Sequence, residues 1–161
     1  MTAATTVANI FELDLRADTL LAAGYSPLVA GDTWTLRLQI RDADNDAVTL
    51  TGATIWVTIK QSSSEPPLVT RKSGVTIYGS SPARDLIAID ADQSAESTDT
   101  LTGKGWFEVR FGSEVFERSA LMPAIGVQLF DLMIEYADDT RSTHARGRIE
   151  ILRPYTDPFH P

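Results

Sequence analysis

The 161-residue sequence contains no cysteine, and this absence excludes both disulfide bonds and thiolate metal sites. Its only histidines are His144 and His160, and no HExxH pair is present, so a zinc site is not expected. No apolar run approaches the roughly 18 residues of a membrane-spanning helix. The N-terminal sequence lacks the basic and apolar regions of a signal peptide, so cytoplasmic synthesis is expected.

Basic residues are also few, with 14 lysines and arginines against 22 aspartates and glutamates and a net charge of −8. Nucleic acids and anionic membranes are bound by basic surfaces, so neither is an expected partner. The apolar fraction of 43% and the charged fraction of 22% are typical of a globular protein. The length fits one domain.

Apolar and polar residues alternate at residues 33–41, 54–60, 105–111, 127–137 and 146–152. A period of two predicts strands with one buried face, and turn residues separate these segments. Shorter apolar segments bring the expected number of strands to about seven. One-sided alternation favours antiparallel pairing. The sequence therefore predicts an all-β fold, an immunoglobulin-like antiparallel β-sandwich of about seven strands with an N-terminal arm.

The pattern divides the chain into three parts. Residues 1–30 form an N-terminal arm, or an extra strand with a short helix, that either packs on its own domain or adds a strand to a neighbouring subunit. Residues 31–153 form the β-sandwich domain. Residues 154–161 contain three prolines and are expected to leave the domain as an extended C-terminal strap.

Three carboxylates, Asp42, Asp44 and Asp46, occupy the first, third and fifth positions of a calcium-loop pattern. The sixth position is Ala47 where glycine is needed, and the twelfth is Ala53 where a bidentate glutamate is needed. This excludes an EF-hand. A looser calcium site and a solvated hairpin turn both remain open, and the turn is the simpler interpretation.

No pattern of catalytic residues is visible. Residues 103–105 read GKG but lack the spacing of a phosphate-binding loop, and no GxSxG motif occurs. His144 is expected at the surface or at a strand edge. Without a nucleophile, base and orienting group, the sequence predicts neither an enzyme nor a cofactor site.

The tryptophans divide into core and surface candidates. Trp34 falls on the apolar face of its strand, whereas Trp56 and Trp106 fall on the faces opposite the apolar sets. Exposed aromatic side chains would anchor an interface; alternatively, both rings cover the core edge or pack under the N-terminal segment. The predicted interface residues are Phe11, Leu13, Leu15, Trp56, Trp106, Pro154 and Tyr155.

Two groups of motifs occur together in residues 31–153. The first group is GDTW at 31–34, DADN at 42–45 and LTGATI at 50–55. The second is FDL at 130–132, an Asp-Asp turn at 138–139 and RGRIEI at 146–151. This order resembles the family of immunoglobulin-like phage virion domains that is typified by the N-terminal domain of the phage baseplate upper protein.

The resemblance implies a structural or adaptor subunit of a tailed bacteriophage virion, in the tail, baseplate, fibre attachment or neck. Its implied partners are other virion proteins and further copies of itself in a homo-oligomer, assembled in the host bacterial cytoplasm. The family has no catalytic residues to transfer. A capsid decoration protein, and a carbohydrate-binding or adhesion module that uses Trp56 or Trp106 for stacking, are the alternatives.

Overall fold

The computed structural model of the chain describes residues 2–6, 11–30, 32–77, 84–111 and 125–153. The predicted all-β class is confirmed, because strands dominate these residues and the helix among them has six residues. No helix in these ranges has the length and apolar character needed to cross a bilayer. In chain order the elements are β1 (Thr2–Thr6), β2 (Phe11–Leu15), α1 (Ala17–Ala22), β3 (Leu28–Val29), β4 (Trp34–Arg41), β5 (Thr54–Lys60), β6 (Pro67–Lys72), β7 (Thr76–Ile77), β8 (Arg84–Asp85), β9 (Ile87–Ile89), β10 (Glu96–Ser97), β11 (Thr102–Gly103), β12 (Trp106–Phe111), β13 (Gly126–Glu135) and β14 (Arg141–Leu152).

Two larger sheets contain most of these strands. Sheet A has the order β1-β4-β12-β9, and sheet B has the order β2-β14-β13-β5-β6 with β3 also paired to β14. Most strand pairs are antiparallel, as the alternation predicted. Antiparallel pairing joins β4, β12 and β9 in sheet A, and β14, β13, β5 and β6 in sheet B. The N-terminal strands β1, β2 and β3 instead pair in parallel. Alternation alone does not distinguish parallel from antiparallel pairing of an edge strand.

The inward faces of both sheets contribute to one hydrophobic core. In β4 and β5 every second residue is buried, as the period of two requires. Leu38 of sheet A and Ile59 of sheet B belong to the same cluster of buried side chains. Trp34 is buried as predicted, and its indole Nε1 donates a hydrogen bond to the carbonyl oxygen of Ser26 at 3.0 Å.

The strand segments expected from the sequence are largely confirmed. Residues 54–60 coincide with β5, and residues 33–41 and 127–137 differ from β4 and β13 by one or two residues at their ends. The described residues contain more strands than the seven expected, because several have only two or three residues. The short apolar segments of the sequence indicated some of these strands, whereas a strand of two residues is too short to show a period of two.

The N-terminal segment packs on its own chain in this structure. Leu15 and Leu20 are buried in the shared core, and the backbone N–H of Ala17 donates to Oε1 of Glu150 at 2.8 Å. The segment contains both a strand, β2, and a short helix, α1. These contacts place β2 at the edge of sheet B, where it forms one wall of a groove on the outer face of that sheet.

His144 is buried and fully inaccessible to solvent, which corrects the expectation of a surface position. The register of β13 and β14 shifts after Leu132, which pairs with Ala145, whereas the next residue pairs with Thr143. This β-bulge leaves His144 as the extra residue of β14. Its Nε2 lies 2.8 Å from the hydroxyl oxygen of Tyr136. Burial raises the pKa of Tyr136 to about 12, so this phenol stays neutral.

Gly147 is expected to be required for the attachment of β2. A Cβ atom at this position would lie 2.0 Å from the backbone oxygen of Leu13, the residue with which it pairs. Gly147→Ala therefore forces β2 away from β14. We expect it to lower the free energy of unfolding by about 1–3 kcal/mol, measured by urea denaturation. Ser142 lies on the same strand and is exposed, so Ser142→Ala is expected to change the free energy of unfolding by less than about 0.5 kcal/mol. Equal effects of the two substitutions would contradict this account.

Candidate functional site

The outer faces of the two sheets differ in how they are covered. On sheet A, the residues between β9 and β12 fold over the strands. Nε of Arg37 donates to the carbonyl oxygen of Leu101 at 3.0 Å, and the Arg37 guanidinium lies 5.9 Å from the Trp106 ring centroid. Gln39, also on this face, is buried. The chain itself therefore covers part of the outer face of sheet A.

This covering segment is held in place by the side-chain amide of Gln93. Its Oε1 accepts hydrogen bonds from the backbone N–H groups of Leu50 and Gly105 at 3.0 and 2.9 Å. Its Nε2 donates to the carbonyl oxygens of Asp90 and Gly103 at 2.8 and 2.9 Å. All four hydrogen-bonding positions of the amide are satisfied, as expected for a group that fixes local structure.

The outer face of sheet B contains an open groove of about 900 Å³. It extends from β2 across β14 and β13 to β5 and the turn that follows β5. Its lining residues are Glu12, Leu13, Asp14, Arg16, Thr58, Lys60, Ser63, Leu129, Phe130, Asp131, Arg146, Gly147 and Arg148. The strand register explains why these side chains meet, since Arg148 pairs with Leu129 and Leu129 pairs with Lys60 in one row across the sheet.

Leu129 stands at the centre of this row and is 38% exposed. Val127, two residues earlier on the same face, is 47% exposed. Single exposed apolar residues are common on protein surfaces, but here Leu129 lies inside a groove between two cations. A side chain in such a position gains most from a partner that removes it from water.

Three cations of the groove form no ion pair within the described ranges, although carboxylates lie beside two of them in the strand register. These cations are Lys60, Arg146 and Arg148. Arg146 lies between Asp131 and Glu12 in the strand register, and Arg148 pairs with Asp14. Arg16 differs, because its guanidinium bonds Asp14 at 2.7 Å. The groove thus combines an exposed leucine with side chains of both charges.

The acidic wall of the groove is fixed by Asp14. Its carboxylate accepts hydrogen bonds from the backbone and side chain of Arg16 and from the hydroxyl of Thr19 at 2.7–3.0 Å. The hydrogen bonds from Arg16 hold the pKa of Asp14 well below its usual range. Asp14 therefore stays charged, and its hydrogen bonds to Arg16 and Thr19 also orient the start of α1.

The structure places the predicted interface residues in different environments. Leu13 is partly buried and lines the groove, whereas Leu15 and Trp106 are buried at 1% and 3% exposure and cannot reach a partner from the surface of this chain. The guanidinium of Arg37, which bonds the carbonyl oxygen of Leu101, lies over the ring of Trp106. For Phe11 the structure describes the backbone pairing with Ala145 alone. Pro154 and Tyr155 lie outside the described residues.

Trp56 remains on the outer face of sheet B and is half-buried. The ammonium of Lys72 lies 5.4 Å, and the guanidinium of Arg141 5.9 Å, from its ring centroid. Both separations allow cation–π attraction. Arg141 also forms an ion pair with Glu135. The indole is thus held by neighbouring charges beside the groove.

The Asp42–Asp46 segment forms a turn. Oδ1 of Asp42 accepts the backbone N–H groups of Asp44 and Asp46 at 3.0 and 2.9 Å, and Asn45 adopts a φ of 66°. Among the residues with described positions, no group of three or more histidine, aspartate or glutamate side chains could hold a metal ion.

The central groove residues Lys60, Leu129, Arg146 and Arg148 were not among the predicted interface positions. The alternation did place Arg148 outward, and Leu129 falls on the outward face of the same pattern. The sequence feature that indicates these groove residues is an outward-facing leucine in a strongly alternating strand, followed by outward-facing arginines in the next strand. Which of these residues share a row depends on register, which the sequence pattern does not give.

No protein-family model matches the chain, and comparison with curated proteins finds no match. A functional assignment therefore has to come from the groove and from the motifs in residues 31–153.

A pair of adjacent residues tests the two faces of β13. Leu129→Ala removes a side chain from the exposed groove and should change the free energy of unfolding by less than about 0.5 kcal/mol. Phe130→Ala removes a core ring that is 4% exposed and should cost about 3–5 kcal/mol. Urea denaturation of both variants measures the difference. A larger loss for Leu129→Ala would mean that the faces are reversed.

The lowered pKa of Asp14 gives a pH-dependent stability. Its stabilising charge is fully present above the unfolded-state pKa of about 3.9 and is lost as pH falls below that value. Asp14→Asn should therefore lower the free energy of unfolding at pH 7, and the difference from the wild type should shrink at about pH 2. Denaturation at both pH values provides the measurement. A pH-independent difference would show that the Asp14 charge contributes nothing.

Proposed function

We propose that this chain is a structural or adaptor subunit of a tailed bacteriophage virion that acts by protein–protein assembly. The observation that carries the proposal is the groove on sheet B, where exposed Leu129 lies between Arg148 and Lys60. Interfaces commonly combine a desolvated apolar centre with surrounding polar and charged groups. The groove is the surface through which we expect the subunit to contact its partner.

The location in a virion is supported by the motifs in residues 31–153 that resemble immunoglobulin-like phage virion domains. We propose the immunoglobulin-like class for the arrangement of sheets A and B on the same basis. Two sheets around one core form a stable frame that leaves a sheet face for binding. The tail, baseplate, fibre attachment and neck are the proposed positions, and a capsid decoration protein would use the same kind of surface.

The carbohydrate-binding alternative has less support. It depended on Trp56 and Trp106 as stacking platforms, and burial of Trp106 leaves Trp56 alone. The ring of Trp56 already contacts the cations of Lys72 and Arg141. Binding on a glycan array, together with absence from virions, would favour that alternative over the proposed one.

Particles purified from the source of the chain test the proposal directly. We expect mass spectrometry to find the chain at a fixed copy number and immunogold labelling to place it at one position of the virion. Absence from intact particles would reject a virion role. Label on the capsid surface would identify the decoration protein instead of a tail or neck subunit.

A matched pair of leucine variants tests whether the groove mediates incorporation. Leu129→Glu introduces a carboxylate at the centre of the groove, whereas Leu21→Glu changes a leucine of α1 that is 59% exposed and does not line the groove. Both proteins should fold, as judged by circular dichroism and urea denaturation. We expect Leu129→Glu to lower the copy number in particles at least tenfold and Leu21→Glu to leave it unchanged. Equal incorporation would exclude the groove as the contact.

A further inference from the structure

Charged side chains on the outer face of sheet B form columns of opposite sign along two neighbouring strands. The outward charges of β13 are Asp131 and Glu135, both acidic, and they alternate with the buried residues of that strand. The outward cations of β14 are Arg141, Arg146 and Arg148. The register sets the two columns side by side, since Asp131 pairs with Arg146 and Glu135 pairs with Arg141.

The strands on either side continue this pattern of mixed charge. One row across the sheet reads Asp14, Arg148, Leu129 and Lys60, and the next row reads Glu12, Arg146, Asp131 and Thr58. The two rows together carry three carboxylates and three cations, whereas the whole chain has a net charge of −8. Two copies of this acidic chain therefore repel each other least where these balanced faces meet.

We propose that the outer faces of sheet B of two copies pack together about a two-fold axis that runs parallel to the strands, between β13 and β14. This inference rests on the proposed function, because it names a second copy of the chain as the partner of the same groove. Rotation about such an axis keeps every residue in its row and places β13 of one copy against β14 of the other. Asp131 then faces Arg146 of the second copy, and symmetry forms the same contact a second time.

The same rotation gives the other groove residues suitable partners. Leu129 faces Arg148 of the second copy, whose methylene stem covers the exposed leucine. The edge strand β2 faces β5, so that Asp14 meets Lys60 while it keeps its bond to Arg16. Facing sheets pack about 10 Å apart with their strands about 30° from parallel, so the rows nearest the axis keep their partners best.

Other positions of the two-fold axis fit this face less well. An axis along β13 sets Asp131 against itself, and an axis along β14 sets Arg146 against itself. An axis perpendicular to the strands places the basic column of β14 on its own copy. Like charges at a contact disfavour all three arrangements. An axis between β14 and β2 does oppose charges, but it lies at the sheet edge and leaves Leu129 uncovered.

The size of the face indicates how strongly two copies associate. The five strands average eight residues, and at spacings of about 4.8 Å between strands and about 3.3 Å per residue they cover roughly 600 Å². Two such faces bury about 1,200 Å² in total, which is the lower end of specific protein interfaces. We therefore expect a dimer that dissociates on dilution.

Charge reversal of the central pair in the full chain tests this arrangement. Arg146→Asp opposes carboxylates across the axis, and Asp131→Arg opposes cations. Each change should raise the Kd of self-association at least about tenfold, because like charges then meet at both symmetric contacts. Both positions face outward, and circular dichroism with urea denaturation verifies folding. Arg146→Gln and Asp131→Asn remove the charges without reversing them and should each raise the Kd about threefold.

A mixture of the two reversed variants gives the sharpest measurement. An Arg146→Asp copy and an Asp131→Arg copy place opposite charges at both contacts, so their equimolar mixture should form a dimer that neither forms alone. Because each copy still has like charges in its own neighbouring strands, this recovery cannot come from contacts within one chain. Sedimentation equilibrium over about a hundredfold dilution compares each mass with the single-chain mass of 17.6 kDa. The wild type should reach twice this mass and no more, because a two-fold contact closes.

Controls and contrary outcomes separate this inference from the virion role. Asp44→Arg and Lys104→Asp change the net charge by the same amounts outside sheet B and should dimerise like the wild type. A monomeric wild type, assemblies larger than a dimer, unimpaired dimers of either reversed variant or no dimer in the mixture would each overturn the two-fold arrangement. Detection in virions together with a monomeric chain would reject this inference and leave the proposed function standing, whereas dimers without presence in virions would do the reverse.

Discussion

Burial of apolar side chains between sheets A and B is the interaction on which the remaining structure depends. Phe107 and Leu38 from one sheet belong to the same buried cluster as Ile59 and Leu132 from the other. Each fully buried side chain of this size stabilises the fold by about 1.5–3 kcal/mol, and these contributions offset the conformational entropy lost on folding. Because the sequence has no cysteine, no disulfide bond supplements this core.

The N-terminal segment shares this core and is therefore part of the frame that carries the groove. Leu15 and Leu20 are buried against the sandwich, and Gly147 allows the backbone of Leu13 to approach β14 closely. The same strand carries Asp14, whose bonds to Arg16 fix the acidic wall of the groove. Core packing and the shape of the candidate site are thus connected through β2.

Unequal covering of the two outer faces determines which surface is available for binding. Residues 90–105 cover part of the outer face of sheet A, where Gln93 and the hydrogen bond from Arg37 to Leu101 hold them. Sheet B keeps its groove open, with Leu129 exposed between Arg148 and Lys60. A domain with one partly covered sheet face and one open, grooved face is suited to binding a partner through the open face.

The sequence by itself determined the all-β class, the main strands and the faces of β4, β5 and β13, because side chains alternate with a period of two in any strand. It also placed Trp34 in the core and Arg148 on the outside. Tertiary structure decided the rest. A bulge in β14 accompanies the burial of His144, and Trp106 is buried under Arg37 although alternation had placed that ring outward. Strand register brought Arg148, Leu129 and Lys60 into one row, and register and loop covering depend on contacts between residues far apart in the chain, which local periodicity does not encode.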